Sequence, residues 1–186
     1  MRKCMAKKWY TVDLIKQMAE CDANYIRLLK LVPQLKAYLD RSFQALDLSE
    51  FETSSQPKLS SEPEKSLEGV SIEFSIADLE GSNEKVVVKI KILEAFKYTT
   101  TLEITQRPEL QKWMTNPSML VRAYHDANTA EVISYQGHKN LLPRYNRPNS
   151  KMYYPDEKMQ VNQFLGEWLT HCINVGRCTK VPDLLF

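Results

Sequence analysis

Residues 70–76 read VSIEFSI, and residues 86–93 read VVVKIKIL. In both stretches apolar and polar side chains largely alternate with a period of two, which is typical of a strand with one buried face. Gly81, Ser82 and Asn83 lie between the two stretches and favour a turn. The pattern therefore predicts two antiparallel strands that contribute one apolar face to a core.

The alternation continues along the chain and predicts a meander of about five strands. A turn at Phe96 and Lys97 leads into a third strand, and two further strands follow at 119–124 and 130–135. The segment 108–117 is flanked by prolines, and we interpret it as one helical turn. The residues predicted to share one face of the third strand are Tyr98, Thr100, Leu102 and Ile104.

Apolar residues at three- and four-residue spacing predict three helices around these strands. The first helix is predicted to begin after an N-cap at Thr11, Pro33 ends it or opens a second helix, and Asp156 and Gly176 bracket the third. The predicted buried face of the first helix is Leu14, Met18, Cys21, Tyr25, Leu28, Leu29 and Val32. That of the third is Val161, Phe164, Leu165, Trp168, Leu169, Cys172 and Ile173.

These elements predict an α+β fold in which an N-terminal helical hairpin and a C-terminal amphipathic helix pack on one antiparallel sheet. The 186 residues are 43% hydrophobic and 26% charged, which fits a single domain spanning 1–186. Within it, residues 47–69 are rich in Ser, Pro and Glu and carry six carboxylates against two lysines. We interpret this segment as an acidic flexible linker or loop, with a phosphorylated or partner-binding segment as the alternative.

The composition points away from membranes and from secretion. No apolar run approaches the roughly 18 residues of a membrane-spanning helix, and no apolar signal region follows the N-terminal cations. The four cysteines form no C-x-x-C pair, and we expect them to be reduced and to serve in packing. A cytoplasmic location is therefore the expectation.

Common catalytic and cofactor motifs are missing from the sequence. The five glycines form neither a dinucleotide fingerprint nor a phosphate loop, and the three histidines form no H-E-x-x-H pattern. We therefore predict no cofactor, no metal site and no identified catalytic residue, while leaving open whether the protein is an enzyme.

The hairpin of residues 119–135 carries the most distinctive polar cluster. If Ala127 and Asn128 form a two-residue loop, Tyr124 pairs with Glu131 and Arg122 is the diagonal neighbour of Glu131. Arg122 and Tyr124 would then be able to bind an anion, with Glu131 holding the arginine. The alternative is a structural ion pair across the strands.

His125 and Asp126 follow directly in the same hairpin. An adjacent carboxylate suggests a general base, but neighbouring strand residues point to opposite faces, so His125, opposite Ala130, fits a core or turn role better. Asp126 is predicted to cap the turn or to join the binding site. An enzyme hypothesis places Arg122, Tyr124, His125 and Glu131 around one small-molecule pocket.

A second cluster is basic and rich in tyrosine. Over residues 139–158 five cations face two carboxylates, and the predicted contact residues are Arg144, Tyr145, Arg147 and Lys151. Cations and aromatic rings together fit a nucleotide, single-stranded nucleic acid or a protein interface, and they also fit a solvated loop packed on the last helix. We therefore favour a non-enzymatic binding or regulatory module that holds an anionic partner: an acidic protein surface, a nucleotide or RNA.

The order and spacing of several short motifs resemble those of a known family. The motifs are KYTT at 97–100, PSM at 117–119, RAYHDA at 122–127, AEV at 130–132, RY at 144–145, DEK at 156–158, NQFL at 162–165 and WL at 168–169. With the N-terminal helix, they resemble the YqiB-like family of small bacterial cytoplasmic proteins of unknown function. The resemblance implies a single domain and transfers no catalytic residue, cofactor or partner.

Overall fold

The structure, a computed structural model, describes residues 13–49, 67–78, 85–107, 117–139 and 156–180, except for the side chains of 42–49, 138–139 and 178–180. Three helices and seven strands lie within these residues. They are α1 (Leu14–Leu31), α2 (Pro33–Ser49), β1 (Ser71–Asp78), β2 (Lys85–Ala95), β3 (Thr99–Arg107), β4 (Ser118–Tyr124), β5 (Thr129–Tyr135), β6 (His138–Lys139), α3 (Glu157–Val175) and β7 (Arg177–Lys180).

All seven strands belong to one antiparallel sheet in the order β6-β5-β4-β3-β2-β1-β7. The five long strands, β1 to β5, form the predicted meander, and the predicted α+β fold is confirmed. Two short strands, β6 and β7, extend the sheet at its two edges. Runs of two and four residues are too short to show an alternation of apolar and polar side chains, so the sequence did not predict them.

One face of the sheet, which we call the inner face, forms the core with the helices. Its fully buried side chains include Val88, Leu102, Ile104, Val121 and Val132. The same apolar cluster contains Leu28 and Leu35 of α1 and α2 and Leu165 and Leu169 of α3. The helices therefore cover the inner face, while the alternate side chains of each strand form the outer face of the sheet.

The ends of the helices agree with the prediction at three of four positions. Pro33 opens α2, Asp156 is the N-cap of α3, and Gly176 is its C-cap. The predicted N-cap at Thr11 is wrong, because α1 begins after Asp13, whose side chain accepts a hydrogen bond from the backbone N–H of Lys16. A carboxylate performs the same capping as a hydroxyl, and the apolar spacing does not distinguish two caps one half-turn apart.

The first turns of α1 correct the predicted buried face. Leu14 is 65% exposed and Met18 is 51% exposed, and Cys21 is the first buried residue of the helix. Periodicity locates the apolar face of a helix but does not say how much of its length another element covers. On α3 the predicted face is buried from Leu165 to Cys172, whereas Phe164 and Ile173 at its margins are each more than a third exposed.

Two turns also differ from the prediction. The backbone N–H of Phe96 donates to the carbonyl of Thr99, so Tyr98 lies in the turn and is 51% exposed instead of facing inward on β3. Between β4 and β5 the connection has four residues, His125 to Asn128, and not the two assumed above. Asn128 has a φ of 54°, in the left-handed region that asparagine tolerates.

Parts of other predictions fall outside the described residues. The acidic segment 47–69 overlaps the end of α2 and the core residue Leu67, and its residues 50–66 lie outside. The helical turn predicted within 108–117 also lies outside, apart from residue 117. Among the cysteines, Cys21 and Cys172 are buried and unpaired, whereas Cys4 and the side chain of Cys178 are outside.

Candidate functional site

The polar cluster of the β4–β5 hairpin lies on the outer face of the sheet. In the observed register Arg122 pairs with Glu131 and Tyr124 pairs with Thr129, so the predicted register, with Tyr124 opposite Glu131, is wrong. Its physical cause is the longer turn, which moves β5 along β4. Arg122, Tyr124 and Glu131 nevertheless share one face. The register shifts by two residues, and such a shift leaves every side chain on the same face of the sheet.

Glu131 is the centre of this cluster. Its Oε1 accepts a hydrogen bond of 3.1 Å from the Tyr124 hydroxyl, and its Oε2 lies 2.7 Å from Lys158 Nζ in the first turn of α3. Both side chains of the ion pair are largely shielded, at 28% and 14% exposed. Glu131 therefore joins the hairpin to the start of α3 with both carboxylate oxygens.

Arg122 donates to a hydroxyl group of the neighbouring strand β3. Its Nε donates to Thr101 Oγ1 at 3.4 Å, and the Thr101 hydroxyl donates in turn to Glu94 Oε2 at 3.1 Å. The guanidinium is also near enough to the Tyr124 hydroxyl to act on its pKa. Ion pairs within the described residues join Glu20 to Arg27, Glu73 to Lys89 and Glu131 to Lys158, and none includes Arg122. The arginine therefore lies opposite a carboxylate whose oxygens are used elsewhere.

Tyr124 remains protonated in this setting. Burial raises its pKa above the ordinary value, and the neighbouring Glu131 carboxylate raises it further, while Arg122 acts in the opposite direction. A protonated hydroxyl donates to Glu131 and can accept from Arg122. Tyr124 therefore donates to Glu131 without adding charge to the cluster.

His125 lies on the inner face and is 4% exposed. Its Nδ1 is 3.1 Å from the Tyr25 hydroxyl of α1, and its Nε2 is 2.8 Å from the Thr100 hydroxyl of β3. Burial lowers the pKa of His125 to about 4, against a smaller opposite effect of Asp126. The imidazole is therefore neutral near pH 7, and both of its nitrogens are engaged in contacts that fix α1 on the sheet.

The residues predicted for the site thus fall into separate places. Arg122, Tyr124 and Glu131 lie together on the outer face, whereas His125 points into the core, so these four do not line one cavity. Asp126 is exposed in the turn. The other predicted contact residues, Arg144, Tyr145, Arg147 and Lys151, lie outside the described residues, and Lys158 is the cation of the basic segment whose side chain is placed.

Charges on the outer face are interleaved. Each of its three central cations lies opposite a carboxylate of the neighbouring strand: Lys89 opposite Glu73, Lys91 opposite Glu103 and Arg122 opposite Glu131. Lys89 Nζ and Glu73 Oε1 are 3.5 Å apart. The described part of this face is therefore not a cationic strip, although the net charge of the chain is +2.

An exposed aromatic turn lies at the end of the sheet where β4 reaches Tyr124. Phe96 is 58% exposed and Tyr98 is 51% exposed, with the Lys97 ammonium 5.0 Å from the centre of the Tyr98 ring. The turn is fixed by backbone hydrogen bonds, one of them from the His125 N–H to the Tyr98 carbonyl. The sequence contains these aromatic residues, but the alternation had placed Tyr98 inside.

A polar groove of about 440 Å³ runs between α1 and α3. One wall carries the ion pair of Arg27 with Glu20, 2.7 Å apart, and Gly166 of α3 forms part of the floor. A methyl group at Gly166 would overlap the Glu20 carboxylate, so the glycine leaves room for the Glu20–Arg27 ion pair against α3. A glycine inside the predicted amphipathic helix was the sequence signal for this contact.

Two buried asparagines connect the helices to the edge of the sheet. Asn24 donates to the carbonyl of Asn162 at 3.0 Å, and Asn162 Oδ1 accepts the backbone N–H of Val132 at 2.9 Å. The side-chain amide oxygen of Asn162 thereby accepts the β5 hydrogen bond that a backbone carbonyl of a neighbouring strand would otherwise accept. Sequence reasoning missed this pair, since its members are 138 residues apart.

Neither a metal centre nor a membrane span is found in the described parts of the chain. These parts contain no group of three His, Cys, Asp or Glu side chains placed to hold a metal ion. Burial raises the pKa of the Cys21 and Cys172 thiols to about 11, so both are protonated near pH 7 and poor ligands or nucleophiles. Among the same residues, no helix has both the length and the apolar character needed to cross a bilayer.

Comparison with known proteins identifies relatives of unknown function. Residues 59–178 match a family model described as a protein of unknown function (DUF1249). The uncharacterized protein YqiB of Escherichia coli K12 is 30% identical over 169 residues, which cover 91% of this chain and 94% of the relative, and YqiB of Escherichia coli O157:H7 matches equally. No solved structure matches the chain. The resemblance predicted from the sequence is confirmed, and the chain belongs to the YqiB-like family of proteins of unknown function (DUF1249).

Proposed function

We propose that this protein is a binding module that holds an acidic group of a partner against Arg122 on the outer face of the sheet. The observation that carries the proposal is the set of contacts around Arg122. Arg122 is half-buried and donates to the Thr101 hydroxyl, while the carboxylate opposite it is bound to Lys158 and Tyr124. Arginine in such a setting suits a carboxylate or phosphate, since its planar group donates two parallel hydrogen bonds.

The surroundings of Arg122 are preorganised, which supports the proposal. The hydrogen bonds from Arg122 to Thr101 and from Thr101 to Glu94 fix the side chain on β3, and Tyr124 is fixed by Glu131. A side chain that is already ordered loses little conformational freedom when a partner binds. Partial burial also strengthens its attraction to an anion, because less water screens the pair.

The basic segment 139–158 adds to the proposed surface on sequence grounds. It holds five cations and two carboxylates, a net charge of +3. Lys158, its last cation, is 2.7 Å from Glu131, so the end of the segment lies beside the hairpin. Arg144, Arg147 and Lys151 would then increase the attraction for an acidic partner, while Arg122 supplies the fixed contact.

Affinity purification with chemical cross-linking from the source cells tests the proposal. Wild type, Arg122→Gln and the matched control Lys89→Gln, on the same face, are compared by quantitative mass spectrometry and RNA sequencing. We expect at least one cross-linked component to fall about tenfold or more with Arg122→Gln and to persist with Lys89→Gln. Arg122→Lys should restore only part of the capture, because an ammonium lacks the planar fork.

The proposal is refuted if every captured component is equally abundant with Arg122→Gln and wild type. Thermal unfolding of each variant serves as the control for folding. Since Arg122 is half-buried and makes one long hydrogen bond of 3.4 Å, we expect its replacement to change the free energy of unfolding by less than about 1 kcal/mol.

A further inference from the structure

The charge pattern of the outer face distinguishes between classes of partner for the proposed site. A nucleic acid presents one phosphate charge after another, and its affinity comes largely from lysines and arginines that replace counterions. Here Glu73, Glu103 and Glu131 alternate with the three central cations. A polyanion lying across these three pairs, which belong to the described part of the face, would meet as many carboxylates as cations. A protein surface, which carries both signs of charge, can match the pattern.

The aromatic turn provides the apolar part of a protein interface. Phe96 and Tyr98 are both more than half exposed, and they lie at the end of the sheet next to the Thr99–Tyr124 pair of β3 and β4. Aromatic residues and arginine are the residue types enriched in interaction hot spots. Lys97 is 5.0 Å from the centre of the Tyr98 ring and thereby covers one of the two ring faces on which a base would stack.

Backbone hydrogen bonds hold the turn in place, although its side chains are exposed. The Phe96 N–H donates to the Thr99 carbonyl at 2.8 Å, and the His125 N–H donates to the Tyr98 carbonyl at 2.9 Å. The His125 ring is in turn held by Tyr25 and Thr100. The buried histidine therefore fixes the aromatic turn to the hairpin that carries Arg122. A preorganised aromatic anchor costs little entropy on binding.

We infer that the partner is a protein, which places an acidic side chain against Arg122 and an apolar surface against Phe96 and Tyr98. The inference rests on the proposed function and names the partner class for the same site. In this arrangement Arg122 sets the position of the partner, and the two aromatic residues supply most of the buried apolar area.

Site-specific photo-cross-linking tests the inference. The photoreactive residue p-benzoylphenylalanine replaces Phe96 in one sample and Ile15, 85% exposed on α1, in the control sample. After irradiation in source cells, we expect position 96 to give an adduct with a protein that survives nuclease treatment. The adduct should be absent at position 15, and Arg122→Gln in the same chain should reduce it about tenfold.

The protein identified in the adduct is then purified and titrated against the full chain. We expect Phe96→Ala with Tyr98→Ala to weaken binding about 30-fold or more and Ile15→Ala to leave it unchanged. The logarithm of the affinity should fall only shallowly with the logarithm of the salt concentration. A fluorescein-labelled single-stranded RNA of about 20 nucleotides is titrated in parallel.

The outcomes separate the inference from the proposed function. If the labelled RNA binds tightly with a salt slope of several units, and Arg122→Gln weakens that binding, the protein partner is refuted and the Arg122 site stands. The protein partner is also refuted if the double alanine variant binds the identified protein like wild type. If Arg122→Gln changes neither the adduct nor the RNA titration, both the proposed function and the inference fail.

Discussion

On the inner face of the sheet His125 has its two ring nitrogens against Tyr25 and Thr100, and burial keeps it neutral. On the outer face the Arg122 guanidinium, three residues earlier in the chain, donates to the Thr101 hydroxyl at 3.4 Å. The first arrangement uses both nitrogens of the ring, whereas the second leaves Arg122 without an ion-pair partner among the described residues. Polar groups on the inner face therefore stabilise the fold, and the proposed binding role falls on Arg122 of the outer face.

The largest expected effect comes from truncating an apolar side chain on the inner face and comparing it with a polar side chain truncated on the outer face. Leu102 is fully buried, and its neighbour Glu103 faces outward on the same strand. We expect Leu102→Ala to lower the free energy of unfolding by about 2–5 kcal/mol, because it removes apolar contacts and leaves a cavity. Glu103→Ala should lower it by less than about 1 kcal/mol. Urea unfolding at pH 7 measures both, and similar losses would contradict the assignment of the two faces.

Protonation of His125 gives the next largest effect. Because the pKa of His125 is about 4 in the folded protein and about 6.5 when unfolded, the unfolded chain takes up a proton first as the pH falls. The free energy of unfolding should therefore decrease between pH 6.5 and pH 4, by up to about 3 kcal/mol. In His125→Gln this component is absent. Urea unfolding at several pH values compares the two proteins, and parallel pH profiles would show that His125 is not buried as a neutral ring.

The buried amides give an effect of intermediate size. Asn162→Ala leaves the backbone N–H of Val132 without its acceptor, which should cost about 1–3 kcal/mol. Gln163→Ala, one residue further along α3, serves as the control and should cost less than about 1 kcal/mol. Hydrogen exchange of the Val132 amide gives a local measure. An unchanged exchange rate in Asn162→Ala would mean that the side chain does not protect the edge of β5.

The sequence was sufficient for the elements whose apolar pattern is long. Strands β1 to β5 were predicted because alternation over seven or more residues reports directly which side chains face the core. The buried part of α3 followed from its helical spacing for the same reason. Leu14 and Met18 were misplaced because burial depends on where the covering elements end, which no local pattern contains.

The site was only partly predictable, for a related reason. The alternation of side chains along β4 correctly predicted that Arg122 and His125 point to opposite faces of the sheet. The partners of Glu131 depended on the register, and the register depended on a turn that includes Asn128 in the left-handed region. Tyr25 and Thr100 are 100 and 25 residues from His125, so their hydrogen bonds arise only from the tertiary fold.

The smallest expected effect is also the most informative for the outer face. Glu131 is the register partner of Arg122, yet its oxygens contact Tyr124 and Lys158. Double-mutant cycles with Glu131→Gln should therefore give a coupling of about 0.5–1 kcal/mol with Lys158→Met and less than about 0.3 kcal/mol with Arg122→Met. Glutamine is chosen because its amide oxygen can still accept the hydrogen bond from Tyr124.

Unfolding experiments at low salt measure both cycles, since screening would reduce each coupling. Equal couplings would mean that Glu131 already neutralises Arg122 across the strands. The positive charge of Arg122 would then be neutralised within the fold. The reason for assigning a partner to Arg122 would disappear. A small coupling for Arg122 beside a larger one for Lys158 would instead show that the arginine is held in place without being neutralised, which is the property that an acidic partner requires.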